Sequence, residues 1–476
     1  MARHIKKESV MRNASYLGLS NIFSYGLLFF STVYIARILM PADFGKINFA
    51  QTLAIYVSFL TDGMKIYGVR EIAKNKEISQ LVIDKNLLNI HSASIIQFIA
   101  FFAFILLLPI DMDYKVLLIT FALSSFIMAS FFTDWIYQGY EVMRVVAIGN
   151  LIRYFSYVVL ILLFFAYDAN IKWVGIATLL GAIIASFPLV SRLPKINVKF
   201  RLHCNVRGLF NKNTLKVPII LGLSCIRNQL FYTPVTIILG LQAFHADVGI
   251  FNAAFKLAFF IGSLGNVYVL SIFPRVSSLC VGSVATLSLF INNSMRFLNY
   301  ILVPIGFGGV YLSGEIVSLV FGEAYILSSH LFGIILWAII IMLWSYNYSS
   351  VLIGFNRQDI FSKILVIALI CNLAANFFLI NLFGSTGGAV TALLSEIIVL
   401  FCFMMYCKRL FGLRVNFHLL SPVAGSVFMI SVLWILGADY LVANVIIGII
   451  AYLGFMQFFT KMKVKDVLNI EVETDA

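Results

Sequence analysis

Residues 42–50 read A-D-F-G-K-I-N-F-A, and residues 246–254 read A-D-V-G-I-F-N-A-A. Five of these nine positions are identical at an offset of 204 residues. The same offset aligns the pair L-S at 19–20 with the pair L-S at 223–224. A repeat of this length in a strongly hydrophobic chain is typical of a membrane transporter built from two similar halves.

The composition supports a membrane protein. The chain has 476 residues, of which 61% are hydrophobic and only 12% are charged, and its mean hydropathy is +0.97. Soluble domains carry about 25% charged residues. Apolar runs recur along the whole chain, and each has the ~20 residues that a helix needs to cross a bilayer. We therefore predict an all-α, polytopic transmembrane bundle.

Apolar runs and turn signals predict about 14 helices, with 12 as the alternative. The predicted spans are 14–36, 47–63, 87–109, 116–138, 145–166, 173–191, 217–240, 248–273, 297–320, 326–352, 364–382, 388–407, 418–436 and 441–460. The sequence G-I-A-T-L-L at 175–180 resembles G-A-V-T-A-L at 388–393. We expect spans 1–6 to correspond to spans 7–12, as two parallel six-helix repeats, with the last two helices added.

This scheme divides the chain into four segments. We predict an N-terminal six-helix bundle at 1–191, a basic cytoplasmic linker at 192–216, a C-terminal six-helix bundle at 217–407, and two additional helices with a cytoplasmic tail at 408–476.

The distribution of Lys and Arg predicts the orientation of the chain. With a cytoplasmic N-terminus, the cytoplasmic segments hold 27 of the 34 Lys and Arg residues, and the external loops hold 4. This bias follows the positive-inside rule, so both termini are predicted to be cytoplasmic. The net charge of +13 is therefore a topology signal and does not indicate nucleic-acid binding.

Three cations interrupt the apolar spans, namely Arg153, Arg227 and Lys256. Each lies about 8–10 residues into its span, which places it roughly 12–15 Å from the nearer membrane face. A cation at this depth costs ~2.5–3.5 kcal/mol unless it faces a cavity or a partner. We interpret the three as lining a cavity for an anionic group. The alternative is that each one pairs with an acidic side chain or extends to the interface.

Other polar residues within the spans are candidates for ion coupling or for sugar contacts. The carboxylates Asp62, Asp134 and Glu396 are candidates for binding H+ or Na+. Asp62 also suits the interfacial end of a helix, and Glu396 suits a hydrogen bond between helices. The amides proposed to line a polar cavity are Asn21, Asn228, Gln229, Asn252 and Asn266. Buried amides also join helices to one another, which is the alternative.

Several other classes of site have no sequence support. The chain has no G-x-x-x-x-G-K-[ST] motif for ATP, and its histidines and cysteines lack metal-ligand spacing. We predict neither a metal nor a cofactor beyond a coupling ion. An integral-membrane enzyme would need a large external loop or an acidic nucleotide motif, and both are absent from the sequence. The protein is therefore predicted not to be an enzyme.

Several motifs resemble one transporter family. The stretches A-R-I-L-M-P-A-D-F-G at 36–45 and D-G-M-K-I-Y-G-V-R-E at 62–71 are similar to the N-terminal signature of Wzx-type polysaccharide flippases. In the second half, F-P-R-V-S-S-L at 273–279 and G-S-T-G-G-A-V-T-A-L-L-S-E at 384–396 agree with the same family. This family belongs to the multidrug/oligosaccharidyl-lipid/polysaccharide superfamily.

The resemblance implies a function and its partners. Such flippases move undecaprenyl-pyrophosphate-linked oligosaccharide units from the cytoplasmic to the periplasmic leaflet by alternating access, for O-antigen, capsule or exopolysaccharide assembly. It implies an inner-membrane location, a lipid-linked oligosaccharide as substrate, and a polymerase and a chain-length regulator as pathway partners. Related lipid II flippases carry a cavity arginine in span 1, where this chain offers Asn21.

Two alternatives remain open. An ion-coupled multidrug antiporter of the same superfamily would require cavity carboxylates, whereas the deepest charges here are positive. A membrane polysaccharide polymerase is the less favoured alternative, because the internal repeat favours transport over catalysis.

Overall fold

A computed structural model describes residues 10–74, 79–196, 198–201, 217–219, 222, 231–414, 416–437 and 440–460. The chain divides into two compact units at residues 249 and 250. Helix α8, which spans His245–Leu279, runs across this division.

The first unit contains seven helices in its described part. These are α1 (Val10–Lys74), α2 (Ser79–Leu107), α3 (Met112–Ser130), α4 (Asp134–Gly139), α5 (Met143–Tyr167), α6 (Ile171–Ser191) and α7 (Thr233–Leu241). A short 3-10 helix at Leu193–Ile196 follows α6. A buried apolar cluster lies among α1 to α6, with Trp135 and Tyr137 as its largest members.

The second unit is also helical throughout its described elements. After α8 come α9 (Val284–Tyr311), α10 (Ser313–Phe321), α11 (Ser328–Gly354), α12 (Gln358–Phe411), α13 (Leu420–Leu436) and α14 (Leu441–Thr460). Helix α11 is buried along most of its length, so it forms the core of this unit. Met429 and Leu433 of α13 pack with Tyr452 and Met456 of α14 in a separate small cluster.

The A-D-F-G-K-I-N-F-A motif at 42–50 lies at the start of a helical arm. Met40 has φ 63° and ψ 169°, which divides α1 into two arms. Pro41 follows directly, and a residue before proline is disfavoured in helical conformation. Proline and Asp43 suit the first turn of the second arm, where an amide hydrogen is not needed and negative charge is stabilised. The matching motif at 246–254 lies in the first turns of α8.

The two motif glycines lie against backbone in the first unit. A Cβ atom on Gly45 would collide with the carbonyl oxygen of His245, and one on Gly249 would collide with that of Pro41. Glycine is the residue that permits such close backbone approach. The repeated glycine of the A-D-x-G motif therefore has the same packing role at both of its occurrences.

The predicted membrane-spanning architecture is confirmed. Among the described residues, nine helices are long and apolar enough to cross a membrane, or ten if α9 and α10 form one bent span. Two of these, α1 and α12, are divided by kinks at Met40 and Gly384, so each contains two arms.

Two predicted spans differ from the structure. The span predicted at 116–138 is interrupted after Ser130, and Asp134 begins the separate helix α4. The span predicted at 297–320 belongs to α9, which starts earlier, and to α10, which is bent from it by 76°. Hydropathy detects neither break, because the residues at both breaks remain apolar or small.

In each unit, an amide side chain makes two hydrogen bonds to the backbone of the segment that follows the last helix of the predicted repeat. In the first unit, Gln80 of α2 donates to the carbonyl of Lys199 at 3.1 Å and accepts from its amide at 3.1 Å. In the second unit, Asn292 of α9 donates to the carbonyl of Arg414 at 2.9 Å and accepts from the amide of Asn416 at 3.0 Å. We call these two arrangements the amide clamps. In the second unit Asn299 Nδ2 also donates to the carbonyl of Phe417.

Candidate functional site

Four ionisable side chains from three helices lie near one another in the first unit. Asp62 and Lys65 belong to the second arm of α1, Asp134 begins α4, and Arg153 lies on α5. Asp62, Lys65 and Arg153 all lie within electrostatic range of Asp134. We call these four residues the charged cluster. It contains two cations and two carboxylates within helices that meet the criteria for membrane spans.

Lys65 is fixed by the end of a neighbouring helix. Its Nζ donates to the backbone carbonyl of Met128 at 2.6 Å, and it lies 5.9 Å from the centre of the Phe132 ring. Met128 is in the last turn of α3, where carbonyls lack partners within the helix and favour a cation. The ammonium group is therefore held where α3 ends and the chain turns toward Asp134.

Asp134 has an acceptor atom available for a ligand or a proton. Gln138 Nε2 donates to its Oδ2 at 2.9 Å, while its buried Oδ1 has no hydrogen-bond partner among the described residues. A buried carboxylate oxygen without a donor is costly. The break between α3 and α4 places Asp134 at the first residue of α4.

Asp62 and Arg153 complete the charged cluster. Ser58 Oγ donates to Asp62 Oδ2 at 3.2 Å. The Arg153 guanidinium carbon lies 5.2 Å from the centre of the Tyr154 ring, an arrangement that stabilises a cation within a helix bundle. Arg153 was predicted as an anion site and the two aspartates as ion-coupling sites. The structure brings these three side chains together.

Lys65 was not among the predicted site residues. The apolar run ends at residue 63, so Lys65 was counted with the cytoplasmic segment, whereas the helix continues to Lys74. The available signal was its spacing of three residues from Asp62, which puts both side chains on one helical face.

The predicted residues of the second unit lie on two helices. Lys256 is partly exposed and Asn252 is buried, and both belong to α8. Glu396 on the second arm of α12 is 4% exposed, next to Ser395, whose hydroxyl accepts from Asn372 Nδ2 at 2.8 Å. Asn376 Nδ2 in turn donates to Asn372 Oδ1 at 2.8 Å. Glu396 therefore lies beside a polar ladder that joins the two arms of α12.

The remaining predicted residues have limited or no description. Asn21 lies on the first arm of α1 and Asn266 on α8. Arg227, Asn228 and Gln229 lie outside the described residues. In the described part of the chain, no three His, Cys, Asp or Glu side chains form a group that could hold a metal ion.

The cysteine at the end of α8 is a packing residue. Cys280 follows the last residue of the helix, and a Cβ atom on Gly354 would lie 2.7 Å from its Sγ. Burial raises the pKa of the Cys280 thiol to about 11, so the thiol is protonated at neutral pH.

Comparison with solved structures identifies the class of fold. The lipid II flippase MurJ, in an inward closed conformation, matches with a TM-score of 0.73 at 14% identity, covering 93% of this chain and 98% of that one. An inward-facing multidrug transporter of the MATE family matches with a TM-score of 0.62 at 14% identity, covering 82% of this chain and 94% of that one. The fold is that of polytopic helical transporters.

Sequence comparison identifies the family. The chain is 26% identical over 427 residues to a putative O-antigen transporter of Escherichia coli K12, covering 85% of this chain and 98% of the relative. It is 24% identical over 409 residues to the capsular polysaccharide biosynthesis protein CapF of Staphylococcus aureus, covering 84% and 100%. Residues 10–280 match the family described as polysaccharide biosynthesis protein. The chain belongs to this family, as its motifs predicted.

Proposed function

We propose that this protein flips undecaprenyl-pyrophosphate-linked oligosaccharide units from the cytoplasmic to the periplasmic leaflet by alternating access. The family, the O-antigen transporter among its relatives and the flippase-like fold support this function. The observation that carries the proposal is the charged cluster, because it offers two cations inside apolar spans to a substrate with an anionic linkage. The protein is accordingly a transporter and not an enzyme.

The pyrophosphate is proposed to bind to cations of the charged cluster. Lys65 and Arg153 both lie near Asp134, whose buried Oδ1 has no hydrogen-bond donor among the residues that the structure describes. A pyrophosphate carries more negative charge than a carboxylate and would compete with Asp134 for both cations. Arg227 and Lys256 are proposed to contribute further contacts from the other predicted repeat.

The same competition provides a route to ion coupling. When the pyrophosphate engages Lys65 and Arg153, Asp134 loses its neighbouring positive charge and becomes a better acceptor for H+. Asp62 and Glu396 are the other carboxylates proposed for coupling to H+ or Na+. The sugars are proposed to contact Asn21, Asn228, Gln229, Asn252 and Asn266.

The proposal includes the arrangement of the protein in the cell. We propose two six-helix repeats at 1–191 and 217–407, a basic cytoplasmic linker between them, and two further helices after 408. The protein lies in the cytoplasmic membrane with both termini inside, where it would supply a polymerase and a chain-length regulator.

A multidrug-type antiporter is the second candidate. The fold match to a MATE transporter and the carboxylates Asp62, Asp134 and Glu396 favour it, since a cationic drug needs acidic partners. The neighbouring Lys65 and Arg153 oppose it, because they would repel a cation from the two aspartates of the first unit.

The test is to delete the gene and determine which leaflet holds the lipid-linked repeat unit. We expect the unit to accumulate on the cytoplasmic side and surface polysaccharide to be lost, with mass spectrometry identifying the sugars. A plasmid carrying the wild-type gene should restore export. If the unit still reaches the periplasmic leaflet but stays unpolymerised, the flippase function is wrong and a polymerase is supported.

A further inference from the structure

The C-terminal end of α3 is buried, and its last carbonyls accept from side chains of two other helices. This end lies within an apolar stretch, Met112–Gly139, that is long enough to cross a membrane. The last four carbonyls of a helix have no amide partner within it, and a buried carbonyl without a donor is costly. Lys65 of α1 donates to the carbonyl of Met128. His91 of α2 approaches the carbonyl of Ser130, with Nε2 3.2 Å from the oxygen.

The contact from α2 involves both the backbone and the side chain of Ser130. A carbonyl oxygen only accepts hydrogen bonds, so Nε2 of His91 carries the proton in this contact. Ser94 lies one turn further along α2, and its Oγ is 2.9 Å from Oγ of Ser130. All three side chains are buried. Two residues of α2, one turn apart, thus contact the same residue at the end of α3.

The donors from α1 and α2 take the place of backbone amides. In a continuous helix, the carbonyl of Ser130 would accept from the amide of Asp134, four residues further on. In the structure α3 ends at Ser130, and α4 begins at Asp134. His91 approaches the Ser130 carbonyl instead, as Lys65 does for Met128. The two side chains therefore allow the chain to break where hydropathy predicts one uninterrupted span.

The break has little support of its own. Thr133 precedes α4, yet its side chain makes no capping hydrogen bond, although a threonine at this position normally accepts one. The buried atoms Thr133 Oγ1, Asp134 Oδ1 and Trp135 Nε1 have no hydrogen-bond partner among the described residues. The position of the break therefore depends on the side chains that α1 and α2 contribute.

We propose that His91 is a positioning residue of the charged cluster. By donating to the carbonyl of Ser130, it fixes the break between α3 and α4, and thereby the place of Asp134 relative to Lys65. Without this donor, the Ser130 carbonyl is paired again when the amide of Asp134 approaches it, which moves Asp134 from its position near Lys65. The importance of His91 for transport rests on the proposed flipping function, whereas its effect on the break does not.

The first test is hydrogen exchange in the purified full-length protein in detergent. His91→Leu removes the donor, whereas His91→Gln keeps an amide donor near the place of Nε2. Trp135 and Tyr137 are held in the apolar core of the first unit, so the residues before them would fluctuate and would not settle into one continuous helix. We expect the amides of 131–136 to exchange at least ~5-fold faster in His91→Leu, because one hydrogen bond is lost. His91→Gln should exchange like the wild type.

The second test is export of surface polysaccharide at matched membrane abundance. We expect His91→Leu to lower export at least ~5-fold, and His91→Gln to keep most of it. Because His91 and Lys65 hold the same helix end, their substitutions should not be additive. The double variant His91→Leu with Lys65→Met should therefore export as much as Lys65→Met alone, whereas two independent defects would multiply.

A neighbouring serine provides the matched control. Ser92 is buried beside His91, and its hydroxyl donates to the carbonyl of Leu88 within α2 at 2.8 Å. Ser92→Ala should keep the exchange and the export of the wild type. If His91→Leu does not reach the membrane, Ser94→Ala takes its place, because it removes the contact with Ser130 Oγ and should also speed exchange at 131–136.

The outcomes separate this proposal from the proposed function. Unchanged exchange at 131–136 in His91→Leu would overturn it, and so would equally fast exchange in His91→Gln, since the donor would then not matter. Faster exchange together with wild-type export would overturn the role of His91 in transport. Failure of the leaflet assay in the wild type would remove the flipping function, while the exchange result would still show whether His91 fixes the break.

Discussion

Lys65 and Arg153 lie near the same carboxylate, Asp134, yet the structure holds them in different ways. Lys65 is fixed by a charge-assisted hydrogen bond to the carbonyl of Met128, while Arg153 lies over the ring of Tyr154. A lysine is a compact point charge and an arginine is a planar fork. In the proposed substrate complex, both cations would contact the pyrophosphate in place of Asp134.

The role of Lys65 can be tested by substitution. We expect Lys65→Met to lower export of the polysaccharide at least ~10-fold, because a hydrogen bond to a charged group contributes ~1.5–3 kcal/mol. Lys65→Arg should keep part of the activity, since it retains the charge. Export is measured as surface polysaccharide at matched membrane abundance.

Lys74→Met on the same helix is the control, because Lys74 is exposed and bonds only to Glu71 among the described residues. Wild-type export in Lys65→Met would remove Lys65 from the substrate site.

The sequence identified most residues of the charged cluster, but it did not predict that they lie close together in the fold. The depth of Arg153 in an apolar run and the position of Asp134 were visible, because charges within spans are rare. Lys65 was assigned to the cytoplasm because hydropathy ends the span at 63, whereas the helix continues to Lys74. That Asp134 lies at a helix N-terminus depends on the break at 131–133, and no hydropathy scale detects such a break.

At the scale of elements, the two amide clamps show how each unit secures its outgoing segment. Gln80 and Asn292 each make two hydrogen bonds to backbone, and each clamped segment also places an aromatic ring against the unit. Phe200 lies 5.9 Å from the ring of His91, and Phe417 lies 6.0 Å from that of Trp344. In the predicted repeat, α2 and α9 hold the third span of each half. The two clamps therefore occupy corresponding positions in the predicted repeat of six helices, which stays a prediction.

The clamps predict a reciprocal pattern of hydrogen exchange. Gln80→Ala removes the acceptor of the Lys199 amide, so the segment 198–201 should exchange at least ~5-fold faster, given a net ~1 kcal/mol per hydrogen bond. The segment 414–419 should be unaffected in this variant. Asn292→Ala should do the opposite, and each variant therefore serves as the control for the other. Mass spectrometry of peptides from the two segments measures the effect. Faster exchange in both segments with either variant would mean that the clamps act only through global stability.

At the scale of the whole molecule, the motif repeat and the compact units divide the chain at different places. The second repeat is predicted to begin near 217, whereas the first compact unit extends to 249. The cause is visible in the packing, because the arm after Pro41 lies against the segments that open the second repeat. A Cβ atom on Gly63 would collide with the carbonyl of Pro218, and one on Gly222 with that of Phe59. Tyr56 Oη also lies 2.8 Å from Thr233 Oγ1. A sequence repeat identifies related elements, but contacts decide which elements form a unit.

The orientation of the chain is the last prediction, and the first unit supplies an internal check. Lys172 Nζ lies 3.6 Å from Asp113 Oδ1, and Asn170 Nδ2 donates to Asp113 Oδ2 at 2.6 Å, so these two loops occupy the same end of the unit. Residues 198–201 follow α6 and are clamped to Gln80 near the start of α2, at the opposite end of that helix from Leu107.

Reporters fused after residues 113 and 170 should therefore indicate the periplasm, and one fused after 205 the cytoplasm, as the excess of inside Lys and Arg requires. Alkaline phosphatase and fluorescent-protein fusions give opposite signals on the two sides. Matching signals from 113 and 205 would contradict the proposed topology, whereas all three signals reversed would keep the fold and invert its orientation. Such an inversion would place the basic linker in the periplasm, contrary to the positive-inside rule.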